Sequence, residues 1–204
     1  MPAMHDLPLF CGGLCQQTEA AKAGCGPDGE KCGLCPLAHF YKNGEYRLPS
    51  VWEIADTEVP APYRQLLVHE RDMTSTLEKF HQAKTHLRVL RTAVNGDTYE
   101  REVVLALDGS NQPVEFGALT VHLERLPAAA RALVTEGRRP FGGILVAQGV
   151  KFTSRPKAFI RLEPDAVISQ SLELKTPATL YGRCNALFDE QGRVLADIVE
   201  VLPP

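Results

Sequence analysis

The sequence predicts an α+β fold, a single mainly antiparallel sheet of about six strands with covering helices. From residue 86 onward, strand-length apolar runs alternate with turn chemistry at Asn95-Gly96-Asp97, Asp108-Gly109 and Gln191-Gly192. The links between these runs are short. Parallel neighbours need crossovers of a dozen residues or more, so short links favour antiparallel pairing. One helical segment interrupts the strands at about residues 127–136, where Pro127 occupies a permitted first-turn position ahead of three alanines.

Taken in chain order, residues 1–59 read as a cysteine- and glycine-rich appendage with no sustained hydrophobic period. Val59-Pro60-Ala61-Pro62 forms a joint into the main domain, residues 60–204. Residues 63–81 read as a helical hairpin, because Met73, Leu77 and Phe80 recur on one helical face and Ser75 with Glu78 fits a capping box. The sequence shows neither an internal repeat nor a low-complexity stretch.

A chain of 204 residues that is 44% hydrophobic can bury one core, and its net charge of -3 leaves no global positive excess for nucleic acid or anionic membranes. No apolar run reaches the roughly 20 residues of a membrane span, and residues 1–16 lack the pattern of a secretory signal. Cys11, Cys15, Cys25, Cys32 and Cys35 cluster near the start, while Cys184 stands alone. A short segment of this kind can be held by disulfides or by a metal, with Cys32-x2-Cys35 and His39 at ligand-like spacing, or it can carry free thiols. Bridges would imply an exported protein, and a cytosolic metabolite as substrate a cytoplasmic one. Oligomeric state is left open.

Two strands place a charge among hydrophobes. Alternation puts Arg101 with Tyr99, Val103, Leu105 and Leu107, and Glu200 with Val194, Ala196, Ile198 and Leu202. A charge facing a core must be paired or must serve a ligand, since an unpaired one costs several kcal/mol. A structural Arg101–Glu200 pair and a ligand site both fit, and both predict that the two side chains point into one enclosure, whereas a third reading has either residue, near a strand end, reach water along its aliphatic stem.

The chain resembles the chorismate pyruvate-lyase family over about residues 66–204. The resemblance is carried by Asp72-Met73-Thr74 before Lys79-Phe80, by Arg101-Glu102-Val103-Val104-Leu105, and by Arg125-Leu126-Pro127-Ala128-Ala129 before Arg139-Pro140-Phe141-Gly142-Gly143-Ile144-Leu145. Tyr181-Gly182-Arg183 and the late Glu200 complete it, whereas residues 151–177 carry no residue of the family pattern. It implies an antiparallel sheet closing over a buried ligand and a cofactor-free cleavage of chorismate, or a close analogue, to 4-hydroxybenzoate and pyruvate. Arg101 and Glu200 would then be catalytic, with Met73, Thr74, Phe141, Gly142, Gly143 and Arg183 binding substrate and no metal required. In this chemistry Arg101 grips a carboxylate, a Gly142-Gly143 turn presents backbone N–H groups, and Glu200 manages a proton. A competing reading is a non-catalytic module that binds a small aromatic carboxylate on the same fold, exported and disulfide-stapled or not.

Overall fold

The computed structural model describes residues 34–42 and 49–204. Seven strands form one sheet in which every neighbouring pair is antiparallel. Strands β2 (Thr85–Asn95), β3 (Thr98–Leu107) and β4 (Pro113–His122) form one meander. A second consists of β5 (Thr153–Glu163), β6 (Leu180–Phe188) and β7 (Val194–Leu202), with β1 (Ser50–Ile54) on its outer edge. The meanders join where β4 pairs with β7, giving the order β1-β5-β6-β7-β4-β3-β2. Turn glycines serve the hairpins as expected, for example Gly96 at φ 59 between β2 and β3.

The expected count of about six strands is exceeded by β1, which pairs with β5 from within the segment read as an appendage. Helix α1 (Cys35–Lys42) also comes from that segment. Its Leu37, Phe40 and Tyr41 pack with Val104, Phe116, Val199 and Val201 on one face of the sheet, beside α6 (Ala166–Ser171). This packing explains why Glu100 and Glu102, which share the strand face of Val104 and Ala106, are buried. Glu100 meets His39 Nδ1 at 2.5 Å, and Arg91, which donates Nε to Glu102 at 2.5 Å, donates Nη1 to the Phe40 carbonyl at 3.2 Å, so the docked helix is held by polar contacts as well as apolar area.

The other face carries four short helices in two groups. Helices α2 (Tyr63–Leu67) and α3 (Met73–His81) cover one end of the sheet, packing Leu67, Met73 and Leu77 on Leu105 and Leu202. Helices α4 (Ala128–Glu136) and α5 (Phe141–Ala147) cover the other end, packing Val134, Ile144 and Leu145 on Leu119, Val121 and Leu187. The two groups meet where α3 approaches α5.

Several local expectations change. The cap of α3 is Asp72, whose side chain accepts from the Ser75 amide at 2.8 Å, in place of a Ser75 capping box. The buried face of α3 is Met73, Thr76 and Leu77, the i, i+3, i+4 set, and Phe80 is 42% exposed. Gly142 and Gly143 lie in the first turn of α5 behind Pro140, so the expected turn is a helix start. Residues 151–177 contain β5 and α6, a strand and a helix that the family pattern did not anchor.

Candidate functional site

The middle of the α2–α5 face is a partly open cavity. Its floor is set by register. Across the sheet, Arg101 pairs with Leu119, Leu119 with Ile198, and Ile198 with Asn185. The next row on the same face runs from Val103 through Gly117 and Glu200 to Arg183. Asp72, Met73 and Thr74 at the start of α3, and Pro140, Phe141 and Gly142 at the start of α5, close the cavity from above. The close approach is visible at Gly142, where a Cβ would lie 3.5 Å from that of Asp72.

Arg101 is 1% exposed and lines this cavity. Its Nη2 donates to the Arg139 carbonyl at 3.1 Å, while Nε and Nη1 make no hydrogen bond among the described residues. Burial lowers its pKa, countered by the nearby Tyr99, but a guanidinium starts so high that it stays charged. The structure therefore places a desolvated cation without a carboxylate partner among the described residues in the wall of this cavity.

Glu200 lines the same cavity, as expected, but its partner is Arg183 rather than Arg101. Arg183 Nε donates to Glu200 Oε2 in a fully buried pair. The guanidinium also donates to the carbonyls of Leu67, His69 and Arg71, at 3.3, 2.9 and 3.1 Å. Arg183 is thus consumed by the sheet and by the loop between α2 and α3, and it is absent from the cavity wall, contrary to its expected substrate contact. The preceding Gly182 is required by the same packing, because a Cβ there would sit 2.3 Å from the Glu200 carbonyl oxygen. Of the remaining expected residues, Met73, Thr74, Phe141 and Gly142 border the cavity and Gly143 does not.

Glu115 is the cavity residue that sequence reasoning missed. It is 5% exposed, its Oε2 has no partner among the described residues, and burial raises its pKa well above the usual carboxylate range. The Glu200 carboxylate pushes it further up, Arg183 pulls it down and Asp72 pushes it up again. Its side chain lies over Gly117, where a Cβ would come within 3.2 Å of Glu115 Oε1. The signal was available: Glu115 shares its strand face with Gly117, Leu119 and Val121, the same anomaly that marked Arg101 and Glu200.

Cys11, Cys15, Cys25 and Cys32 lie outside the described residues, and Cys35 is described only as the first position of α1. Cys184 is free and buried in the core, its thiol pushed up to about 12 by burial. Among the described residues no His/Cys/Asp/Glu group could hold a metal, and no helix is long and apolar enough to cross a membrane.

No protein-family model matches the chain, and no curated protein matches its sequence. Solved structures are similar to it. PhnF from Mycobacterium smegmatis aligns at 12% identity over 84% of this chain and 94% of that one, with a TM-score of 0.50. The effector domain of PhnF from the same organism aligns at 12% identity over 64% and 87%, with a TM-score of 0.49. A ligand-binding domain assigned to the GntR family of transcriptional regulators, from Bordetella bronchiseptica, aligns at 12% identity over 58% and 85%, with a TM-score of 0.47. Such identity speaks to fold alone. The antiparallel sheet with flanking helices is the shared feature.

Proposed function

We propose that the chain is a binding domain for a small aromatic carboxylate, held between the sheet and the starts of α3 and α5. The observation that carries this reading is Arg101, a buried guanidinium with Nε and Nη1 unused in the cavity wall. A charge so placed without a partner is unfavourable, and a ligand carboxylate supplies both the countercharge and the acceptors. Val103, Leu119 and Phe141 give the same cavity apolar walls suited to a ring.

Turnover of chorismate is the second reading, favoured by Arg101 and Glu200 facing one cavity. Binding is preferred because Glu200, the group that would attend the departing ether, already accepts from Arg183. The test is to titrate purified protein with 4-hydroxybenzoate and, in parallel, to incubate it with chorismate while following pyruvate. Saturable binding without pyruvate release is the expected result. Stoichiometric pyruvate and 4-hydroxybenzoate would make the protein a lyase, and no binding of any aromatic carboxylate would end the proposal.

A further inference from the structure

The cavity holds a second buried group without a partner, and its charge is opposite to the first. Arg101 leaves Nε and Nη1 unused, and Glu115 leaves Oε2 unused. The two do not pair with each other. Arg101 stands in the row of Leu119, whereas the Glu115 carboxyl lies over Gly117, two residues away along β4. That offset corresponds to roughly 7 Å along the sheet, with Val103 and Leu119 as apolar floor between. The Glu115 end is also the acidic end. Glu200 and Asp72 act on it, and the cation that acts on it among the described residues, Arg183, is already bonded to Glu200 and to the carbonyls of Leu67, His69 and Arg71.

We infer that the ligand is a small zwitterion, with its carboxylate on Arg101 and a protonated amine on Glu115. This rests on the reading of the cavity as a carboxylate site and specifies the far end of the molecule. A cavity with a fixed cation at one end and an excess of carboxylates at the other is complementary to a dipolar ligand. A monoanion satisfies only half of it and leaves Glu115 Oε2 without a partner. On binding an amine, Glu115 becomes the ammonium's counterion, and the ammonium charge opposes the burial that favours its protonated form, so binding is coupled to proton release. The groups facing it during this change are Glu200, Asp72 and Arg183.

The experiment compares two near-isosteric probes, 4-(aminomethyl)benzoate and 4-(hydroxymethyl)benzoate, by calorimetric titration of the full chain in two buffers of different ionisation enthalpy. The amine is expected to bind about tenfold or more tightly than the alcohol, since a desolvated charge-assisted contact is worth at least that factor. It is also expected to release protons on binding, and the alcohol fewer. In Glu115→Gln the preference ratio should collapse towards about one and the proton release should vanish. Equal binding of both probes by the unaltered protein, without proton release, overturns the zwitterion inference and leaves the carboxylate reading standing. Binding of neither probe overturns both. The amine-to-alcohol preference on the unaltered chain decides the question even if the variant folds poorly.

Discussion

At residue scale, two arginines on one face of the sheet should respond to substitution in opposite ways. Arg183 is the counterion of Glu200 and the donor to three loop carbonyls, so Arg183→Ala strands a buried carboxylate. Breaking a buried pair on one side costs about 3–5 kcal/mol. Arg101 has no such partner, so Arg101→Ala should hold or raise the melting temperature. The same substitution should weaken aromatic carboxylate binding by about 2–5 kcal/mol, a factor of roughly thirty to several thousand. Thermal melts and 4-hydroxybenzoate titrations on both variants separate the two roles. A large stability loss in Arg101→Ala with unchanged affinity would return that residue to a structural role. Period-two alternation was enough to place Arg101 and Glu200 in one enclosure, but not to choose the partner of Glu200. That choice depends on the β6–β7 register, which puts Arg183 opposite Glu200, and pairing register is a nonlocal property.

At element scale, the loop between α2 and α3 is held through its carbonyls by Arg183 and contains His69. His69 Nδ1 accepts from the Arg71 amide at 3.1 Å, while Nε2 is buried without a partner among the described residues. Burial and then the positive charges of Arg183 and Arg71 lower the His69 pKa, so the folded protein favours the neutral ring. A depressed pKa means that the unfolded chain binds the extra proton first. The stabilising contribution is therefore present above the ordinary histidine value of about 6.5 and is lost as pH falls towards and through the folded value. The unaltered protein should lose melting temperature between about pH 7 and about pH 5, and His69→Gln should lose less over the same range. Parallel pH-dependent slopes for the two proteins would refute this role. Helices and turns with local signals were legible in the sequence, as at the Asp97 and Asp108 hairpins and in α4. Helix α5 was not, because Gly142-Gly143 is turn-like by propensity and becomes helical by packing Ile144 and Leu145 onto the sheet.

At the scale of the whole molecule, the cavity exists because two meanders are joined side by side, β4 against β7, and each brings half of the floor. The first supplies Arg101 and Glu115, the second Ile198 and Glu200. The opposite face of those strands must then be covered, and the covering comes from early in the chain. Leu34, Leu37, Phe40, Tyr41 and Val51 are all buried there against the central strands. None was legible as core, since cysteine and glycine density dominates the local composition and the contacts that bury these residues are distant in sequence. Burying a large apolar side chain contributes about 1.5–3 kcal/mol, so these five together contribute roughly 8–15 kcal/mol. A domain of ordinary stability has about 5–15 kcal/mol in all. A chain trimmed to residues 60–204 should therefore fail to melt cooperatively, expose Val104, Phe116 and Val199, bind a hydrophobic dye and lose ligand affinity. Circular dichroism melts and dye fluorescence on trimmed and full chains make the comparison. A trimmed chain that melts as sharply and at the same temperature as the full protein would show residues 1–59 to be a detachable appendage after all.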